Sequence, residues 1–134
     1  MTEKILIIDD QQEVGVTLKE WLAKFGYESV YCPTGQDGLD AIAKDEFSAI
    51  LLDIKMPGED GVSILKKIKT ADPAAAVILM TAYPSDDTIT QALSSGAYDY
   101  ILKPFNIEKI QFLIERAISY HKLLISSRKS PKKP

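Results

Sequence analysis

The sequence predicts an open α/β fold built on a parallel sheet. Short apolar runs alternate with amphipathic helical patterns along the chain, as they do in consecutive βαβ units. Four of these runs also stop at polar residues that can bind a metal ion or phosphate, and these residues are Asp9 with Asp10, Asp53, Thr81 and Lys103. Open α/β sheets bind their ligands at the carboxyl ends of the strands, so both observations indicate the same fold class.

The strands are predicted from apolar runs that are short and bounded by polar residues. They lie near residues 4–8, 28–32, 49–52, 76–80 and 98–102. Most of them are continuous apolar runs, which is typical of strands buried on both faces. The second run is diluted by Glu28, Ser29 and Cys32, so we expect an edge strand or a less buried one.

The first two helices follow the first two strands. The first is predicted over about residues 11–25 and ends at Gly26, its candidate C-cap. Its apolar stripe has helical spacing and consists of Val14, Leu18, Trp21, Leu22 and Phe25. The second begins at Thr34, which forms a candidate capping box with Asp37. Its predicted buried face consists of Leu39, Ile42 and Ala43.

The third helix is predicted over about residues 60–69, and its inward face consists of Ile64, Leu65 and Ile68. The fourth is predicted to begin near Ser85, with Asp86 and Asp87 in its first turn, and to end at Gly96. The fifth begins at Asn106, a good N-cap residue, and is predicted to continue to about residue 125.

The fifth helix is apolar around much of its circumference. Its apolar arc consists of Ile107, Ile110, Leu113, Ile114, Ala117, Ile118, Tyr120 and Leu124. Such an arc is wider than one domain face usually covers, so a second partner is expected. We predict either a homodimer or a helical linker to an output domain. The alternative is a long helix that packs only on its own sheet.

Composition limits the possible functions. The 134 residues are enough for one domain, and 46% hydrophobic with 26% charged residues is ordinary for a globular protein. We find no apolar stretch near the roughly 20 residues that would span a bilayer, and no signal peptide. Cys32 is the one cysteine, which excludes an internal disulfide and fits the cytoplasm, where we place the protein. We interpret Cys32 as a small apolar residue.

Charge divides the chain into an acidic body and a basic end. All 19 acidic residues lie at or before Glu115, and the charged residues after it are basic. An acidic body argues against nucleic-acid binding by the folded domain. Residues 126–134 are too polar to pack and are predicted to be disordered. We predict a domain over residues 1–120, followed by a helical extension and basic tail or linker over residues 121–134.

The polar residues at the strand ends suggest one chemistry. If the first strand is central, Asp9, Asp10, Asp53, Thr81 and Lys103 surround one crevice. Three neighbouring carboxylates repel one another unless a cation is bound, and Mg2+ suits such a set of oxygen ligands. A carboxylate can also attack phosphorus to form an aspartyl phosphate, for which a lysine and a hydroxyl supply charge and a hydrogen bond.

These residues stand within longer motifs, which are residues 7–10 (IIDD), 52–61 (LDIKMPGEDG), 80–82 (MTA) and 96–105 (GAYDYILKPF). With them the chain resembles the receiver domain of two-component response regulators, from Lys4 to about Ser119. The resemblance implies a three-layer, flavodoxin-like (βα)5 fold with sheet order 2-1-3-4-5. It also implies a signalling switch rather than an enzyme, phosphorylated by a sensor histidine kinase or a histidine phosphotransfer protein.

The resemblance also implies a role for individual residues. Asp53 accepts the phosphoryl group, and Asp10, Asp53 and the main-chain carbonyl of Lys55 ligate Mg2+, with Asp9 helping through water. Thr81 and Lys103 contact the phosphate. Tyr100 occupies the aromatic switch position.

Further expectations concern the last strand, helices and flanking residues. The Lys103–Pro104 bond is expected to be cis. Phosphorylation is expected to alter the surface of the fourth helix, fifth strand and fifth helix, which would control an output domain, a partner or a homodimer. Lys55 and Tyr83 either flank the phosphate and tune its hydrolysis, or are ordinary surface residues. His121 is predicted to be a solvated residue, and Trp21 a packing residue.

Two other functions use parts of the same pattern. The first is a phosphohydrolase that forms an aspartyl phosphate, although Lys55 stands where such enzymes usually place a general acid. The second is a flavodoxin-like binding module. It would need a phosphate loop rich in Ser, Thr and Gly after the first strand, where the chain has Asp9 and Asp10.

Overall fold

The computed structural model describes residues 3–83 and 87–129. A five-stranded parallel sheet forms the centre of the molecule, in the order β2-β1-β3-β4-β5. Its strands are β1 (Lys4–Ile8), β2 (Glu28–Cys32), β3 (Ala49–Asp53), β4 (Val77–Thr81) and β5 (Asp99–Leu102). The predicted α/β class and the strand order 2-1-3-4-5 are confirmed. The order reverses between β1 and β3, where such folds bind their ligands.

Helices cover both faces of the sheet. They are α1 (Gln12–Lys24), α2 (Gly35–Lys44), α3 (Gly61–Ala71), α4, described over Asp87–Ser94, and α5 (Ile107–Lys129). Alternate residues of β1 serve the two cores, because side chains alternate along a strand. Leu6 and Ile8 pack with α2 and α3, whereas Ile5 and Ile7 pack with α1 and α5. No helix among the described residues has the length and apolar character needed to cross a membrane.

Several sequence-based details are confirmed. The interior strands β1, β3 and β4 are almost fully buried, while β2 is a half-buried edge strand. Cys32 is buried, as expected of a small apolar residue. Gly26 has a φ of 88°, and Tyr27 beyond it donates a hydrogen bond to the carbonyl of Leu22 at 2.9 Å. This pattern closes α1 in the way that a glycine after a helix allows.

Two predicted helix starts are also confirmed by hydrogen bonds. The Thr34 hydroxyl accepts a hydrogen bond from the N–H of Asp37 at 3.1 Å, and the Asn106 side chain accepts one from Lys109 at 2.8 Å. The predicted start of the fourth helix at Ser85, with Asp86, lies outside the described residues. Gly96 follows that helix with a φ of 110°.

The structure corrects the predicted faces of two helices. Ala43 of α2 is exposed rather than buried, because the helix packs through its buried glycines instead, with Gly38 against the sheet and Gly35 against Ile64 of α3. A side chain at Gly38 would collide with Ile8 of β1. His121, predicted to be solvated, is only 4% exposed, and its Nε2 lies 3.6 Å from the carboxylate of Glu46. Glu46 belongs to the loop before β3, so α5 brings this histidine beside that loop.

Helix α5 also extends further than predicted. It continues to Lys129, so residues 126–129 are helical, although they were predicted to belong to a disordered tail. The rest of that tail, residues 130–134, lies outside the described residues. The division into a domain over residues 1–120 and an extension stays a prediction, since α5 runs through the proposed boundary without a break.

Candidate functional site

Three carboxylates meet at the carboxyl edge of the sheet. Asp9 and Asp10 follow β1, and Asp53 ends the neighbouring strand β3. One oxygen from each of these side chains lies within 4.8 Å of the others. Asp9 and Asp53 are buried and Asp10 is exposed. The convergence follows from the topology, because parallel strands that pair in register end at the same edge.

Lys103 brings a positive charge into this cluster. Its Nζ lies 3.0 Å from Oδ2 of Asp9 and 3.2 Å from Oδ2 of Asp53. Lys103 follows β5, and its N–H donates a hydrogen bond of 2.7 Å to the carbonyl of Thr81 at the end of β4. The lysine thus spans the sheet edge from β5 to β1, and the structure brings it together with the acids as predicted.

A shared local geometry orients three of the site's side chains. Oδ1 of Asp9 accepts a hydrogen bond from the N–H of Gln11 at 2.8 Å, and Oδ1 of Asp53 accepts one from Lys55 at 3.1 Å. The buried Thr81 does the same, since its Oγ1 accepts a hydrogen bond from Tyr83 at 3.0 Å. Each side chain therefore folds back on the N–H two residues later, which fixes its direction at the strand end.

Burial and charge shift the pKa values in this site. The pKa of Asp53 is raised to about 6. Burial is the main cause and the charge of Asp9 contributes, while the hydrogen bond from the Lys55 N–H and the contact with Lys103 lower the pKa in part. Burial alone would lower the pKa of Lys103. Its hydrogen bond to Asp9 and the charges of Asp53 and Asp9 outweigh burial and raise it. Asp53 is therefore an acid near its titration range, and Lys103 stays positive.

The donor set fits a hard divalent cation. Carboxylate oxygens from Asp9, Asp10 and Asp53 are close enough to share one ion, and oxygen ligands are what Mg2+ requires. Burial, with a smaller contribution from the charge of Asp9, raises the pKa of Asp53, so the fold disfavours the charged form of that side chain. A bound cation would favour it.

The remaining predicted residues lie around this centre. The Lys103–Pro104 peptide bond is cis, as predicted. Tyr100 is half-buried and lines a cavity of about 370 Å3 between β5 and α5, together with Leu102 and Phe105. Trp21 packs against the core on the α1 side, in an edge contact with Phe105.

Lys55 and Tyr83 touch each other. The Lys55 ammonium lies 5.5 Å from the centre of the Tyr83 ring. Their predicted influence on phosphate hydrolysis stays a prediction.

Two structural contributors to the site were missed by sequence reasoning. The Tyr31 hydroxyl donates a hydrogen bond of 2.7 Å to the main-chain carbonyl of Asp9. Glu59 accepts hydrogen bonds from the N–H of Gly35 at 2.7 and 3.2 Å, which ties the loop after Asp53 to the start of α2. That loop forms a small hairpin of Lys55–Met56 paired with Glu59–Asp60. Short polar pairs of this kind leave no periodic signal in a sequence.

The fold and the acidic cluster together define an open α/β domain with a candidate metal site at the carboxyl edge of its sheet. A family model described as the response regulator receiver domain matches residues 5–115 of the chain. Sporulation initiation phosphotransferase F of Bacillus subtilis (strain 168) is 40% identical over 116 residues, which cover 87% of this chain and 94% of that protein. The chain therefore belongs to the response regulator receiver domain family, whose members are switches of two-component systems.

Solved structures agree with this assignment. A CheY-like receiver domain protein from Methanospirillum hungatei JF-1 has a TM-score of 0.87 and 30% identity, over 91% of this chain and 98% of that one. The beryllofluoride-activated NtrC4 receiver domain dimer has a TM-score of 0.82 and 31% identity, over 88% of this chain and 98% of that one. Other relatives, such as the transcriptional regulatory protein ZraR of Klebsiella oxytoca, are longer, and the chain spans about a quarter of their length.

Proposed function

We propose that the chain is a switch that accepts a phosphoryl group on Asp53 from a phosphohistidine of a histidine kinase or phosphotransfer protein. The observation that carries this proposal is the contact of Lys103 with Asp53 inside a cluster of three carboxylates. A carboxylate that is buried, oriented and next to a permanent cation can act as a nucleophile toward phosphorus.

The transfer step needs little beyond position and charge. An oxygen of the Asp53 carboxylate attacks phosphorus, the P–N bond of the phosphohistidine breaks, and its electron pair stays on the imidazole. Lys103 is placed to bind the phosphoryl oxygens as their charge develops, and the Thr81 hydroxyl can donate a hydrogen bond to one of them. Oδ1 of Asp53 is held by the N–H of Lys55, which leaves its other oxygen beside Lys103.

Mg2+ belongs to this proposal. Asp10, Asp53 and the carbonyl of Lys55 would hold it, with Asp9 acting through water. When bound, the ion supplies positive charge that neutralises the carboxylates and the transferred phosphoryl group. A bound ion would also favour the ionised form of Asp53, because burial raises the pKa of that side chain to about 6.

The output side of the switch would lie on α4, β5 and α5. In the structure the Thr81 hydroxyl accepts a hydrogen bond from Tyr83, so turning toward a phosphate on Asp53 would break that contact. Tyr100 lines the neighbouring cavity of about 370 Å3, which leaves it room to move when Thr81 moves. The contact that exists only in the phosphorylated state is what shifts the equilibrium.

A homodimer through this face, or through the extended α5, is part of the proposal. Leu93 of α4 is 39% exposed, Leu102 of β5 is 43% exposed and Leu123 of α5 is 69% exposed, so each offers apolar surface to a second copy. The beryllofluoride-activated NtrC4 receiver domain, which is similar to this chain, is a dimer. Sedimentation of this chain with and without beryllofluoride and Mg2+ tests the idea, and a monomer in both conditions would contradict it.

Intact-protein mass spectrometry after incubation with acetyl phosphate and Mg2+ tests the phosphorylation. We expect one added phosphoryl group on the wild-type chain and none on Asp53→Asn. Asp45→Asn removes an exposed aspartate at the opposite edge of the sheet and serves as the matched control, which should react like the wild type. Phosphorylation of Asp53→Asn at the wild-type rate, or an unmodified wild type, would refute the proposal.

The phosphohydrolase alternative is separated from the switch by turnover. A switch is expected to hold its phosphoryl group and to release phosphate slowly, in amounts comparable to the protein itself. An enzyme would release many equivalents of phosphate from small phosphomonoesters. Sustained release that disappears in Asp53→Asn would favour the enzyme.

A further inference from the structure

Tyr31 links the edge strand β2 to the acidic turn after β1. Its hydroxyl donates a hydrogen bond of 2.7 Å to the main-chain carbonyl of Asp9. Tyr31 pairs with Ile7 in the sheet, so the side chain reaches along β1 toward its carboxyl end. On the other side of the same turn, Gln11 donates its N–H to the carboxylate of Asp9 at 2.8 Å. The turn is therefore held both at its carbonyl and at its carboxylate.

Gly15 of α1 makes room for this tyrosine. A Cβ atom at Gly15 would lie 2.5 Å from Cδ1 and Cε1 of the Tyr31 ring, which is closer than real contacts allow. Glycine inside a helix lowers its stability relative to alanine, so its presence in α1 needs a local reason. The close approach of the Tyr31 ring is such a reason.

We propose that Tyr31, with Gly15 providing the space for its ring, is a positioning residue of the metal site. By holding the peptide between Asp9 and Asp10, it keeps both carboxylates within reach of Asp53. The inference rests on the proposed function, because it presupposes that these acids bind Mg2+.

The effect should appear in metal affinity. Asp10 is exposed, so its own packing restrains it little, and the peptide on its N-terminal side is the part that Tyr31 holds. Without the hydroxyl, that peptide gains freedom which Mg2+ binding must then remove. Losing one neutral hydrogen bond that does not involve the ligand side chains corresponds to a loss of about 3- to 10-fold in affinity.

The test compares Tyr31→Phe with Tyr27→Phe. Tyr27 is a half-buried tyrosine of the same core on the α1 side, and it precedes the amino end of β2, far along the strand from the acidic turn. Mg2+ affinity is measured by titration calorimetry, and Tm is measured in EDTA. We expect Tyr31→Phe to weaken Mg2+ binding about 3- to 10-fold while Tyr27→Phe leaves it unchanged. Phosphorylation of Tyr31→Phe by acetyl phosphate should return to the wild-type rate at saturating Mg2+.

The outcomes separate the inference from the proposed function. If the wild type binds no Mg2+ at millimolar concentrations, the proposed metal site itself is wrong. If the wild type binds Mg2+ and Tyr31→Phe binds it equally well, only the inference is overturned. A Tyr31→Phe chain whose Tm falls in EDTA without any change in Mg2+ affinity overturns it too, because the role of Tyr31 is then structural.

A double-mutant cycle tests the part played by Gly15. Gly15→Ala should displace the ring and weaken Mg2+ binding in the wild-type background. In a Tyr31→Val background, which has no ring to displace, the same change should leave the affinity unaltered. Equal losses in both backgrounds would show that Gly15 acts by another route, and would overturn its part in the inference.

Discussion

The acidic side chains at the two edges of the sheet have opposite surroundings. At the carboxyl edge, formed by Asp9, Asp10, Asp53, Thr81 and Lys103, three acids crowd together and two of them are buried. At the amino edge, formed by Glu3, Lys4, Asp45, Ser48 and Lys122, acids face donors. Glu3 accepts a hydrogen bond from Ser48 at 2.5 Å and lies 3.1 Å from Lys122, and Lys4 lies 3.5 Å from Asp45.

The pKa values record this difference. Burial and the charge of Asp9 raise the pKa of Asp53 to about 6, whereas the hydrogen bond from Ser48, with Lys122, lowers the pKa of Glu3. A raised carboxyl pKa means that the fold disfavours the charged form, and a lowered one means that the fold favours it. The ionised Asp53 at the carboxyl edge therefore destabilises the folded state, whereas the ionised Glu3 at the amino edge stabilises it.

Lys103→Met is expected to have the largest effect on stability. It leaves the buried Asp9 and Asp53 without the ammonium that lies 3.0 and 3.2 Å from them. Removing one partner of a buried charge cluster typically lowers the free energy of unfolding by about 3 kcal/mol or more. Urea unfolding in EDTA at pH 7 measures the loss. Mg2+ should restore part of it, and a loss below about 1 kcal/mol would contradict this account of the edge.

Asp53→Asn should change stability in the opposite direction. Because the folded pKa of about 6 exceeds the ordinary value of 3.8, ionisation of Asp53 destabilises the fold at neutral pH by about 2–3 kcal/mol. Without Mg2+, the variant should be more stable than the wild type by that amount at pH 7. The gain should shrink between about pH 6 and pH 4 and vanish below, where Asp53 is protonated in both states.

Mg2+ provides the control for this prediction. The ion should stabilise the wild type much more than Asp53→Asn, so the difference between them should narrow as Mg2+ is added. Unfolding curves at several pH values, with EDTA and with Mg2+, measure both effects. An Asp53→Asn chain that is less stable than the wild type at pH 7 in EDTA would show that the carboxyl edge is not strained by charge.

The sequence predicts the residues that meet at the carboxyl edge but not the contacts at the amino edge, for a physical reason. Asp53, Thr81 and Lys103 stand at the ends of buried strands, and topology alone brings such ends together. The contacts of the amino edge join Glu3 to Ser48 and to Lys122, which no periodicity relates. His121 was mispredicted for the same reason, since its neighbour Glu46 lies in a loop that is distant in sequence.

Local packing also limited the prediction of helix faces. The inward face of α2 was assigned to Leu39, Ile42 and Ala43 because apolar residues usually pack inward. In the structure, Gly38 lets α2 approach β1 so closely that it lies against Ile8, and Ala43 is exposed. Close approach through glycine depends on the partner surface, which a single segment does not reveal.

Glu3→Gln probes the amino edge, where we expect a smaller effect. The neutral side chain keeps only a weaker, uncharged hydrogen bond from Ser48 and also loses its charge beside Lys122, so about 1 kcal/mol should be lost at pH 7. Because the pKa of Glu3 is lowered from 4.5, its contribution is present above pH 4.5 and is lost as the pH falls through the folded value. If Glu3→Gln were more stable than the wild type at pH 7, the charge at the amino edge would not stabilise the fold, and the two edges would not differ.

Lys122→Met should have the smallest effect, because the Lys122 side chain is 65% exposed and water screens its charge. We expect a loss of about 0.5 kcal/mol or less at low salt, disappearing near 1 M NaCl, where the Debye length is about 3 Å. The loss in Lys103→Met should persist at that salt concentration, since Asp9 is fully buried. Urea unfolding of both variants at low and high salt makes the comparison. If salt changes both losses equally, burial does not distinguish the two lysines. The two edges would then differ only in the number of charges that each contains.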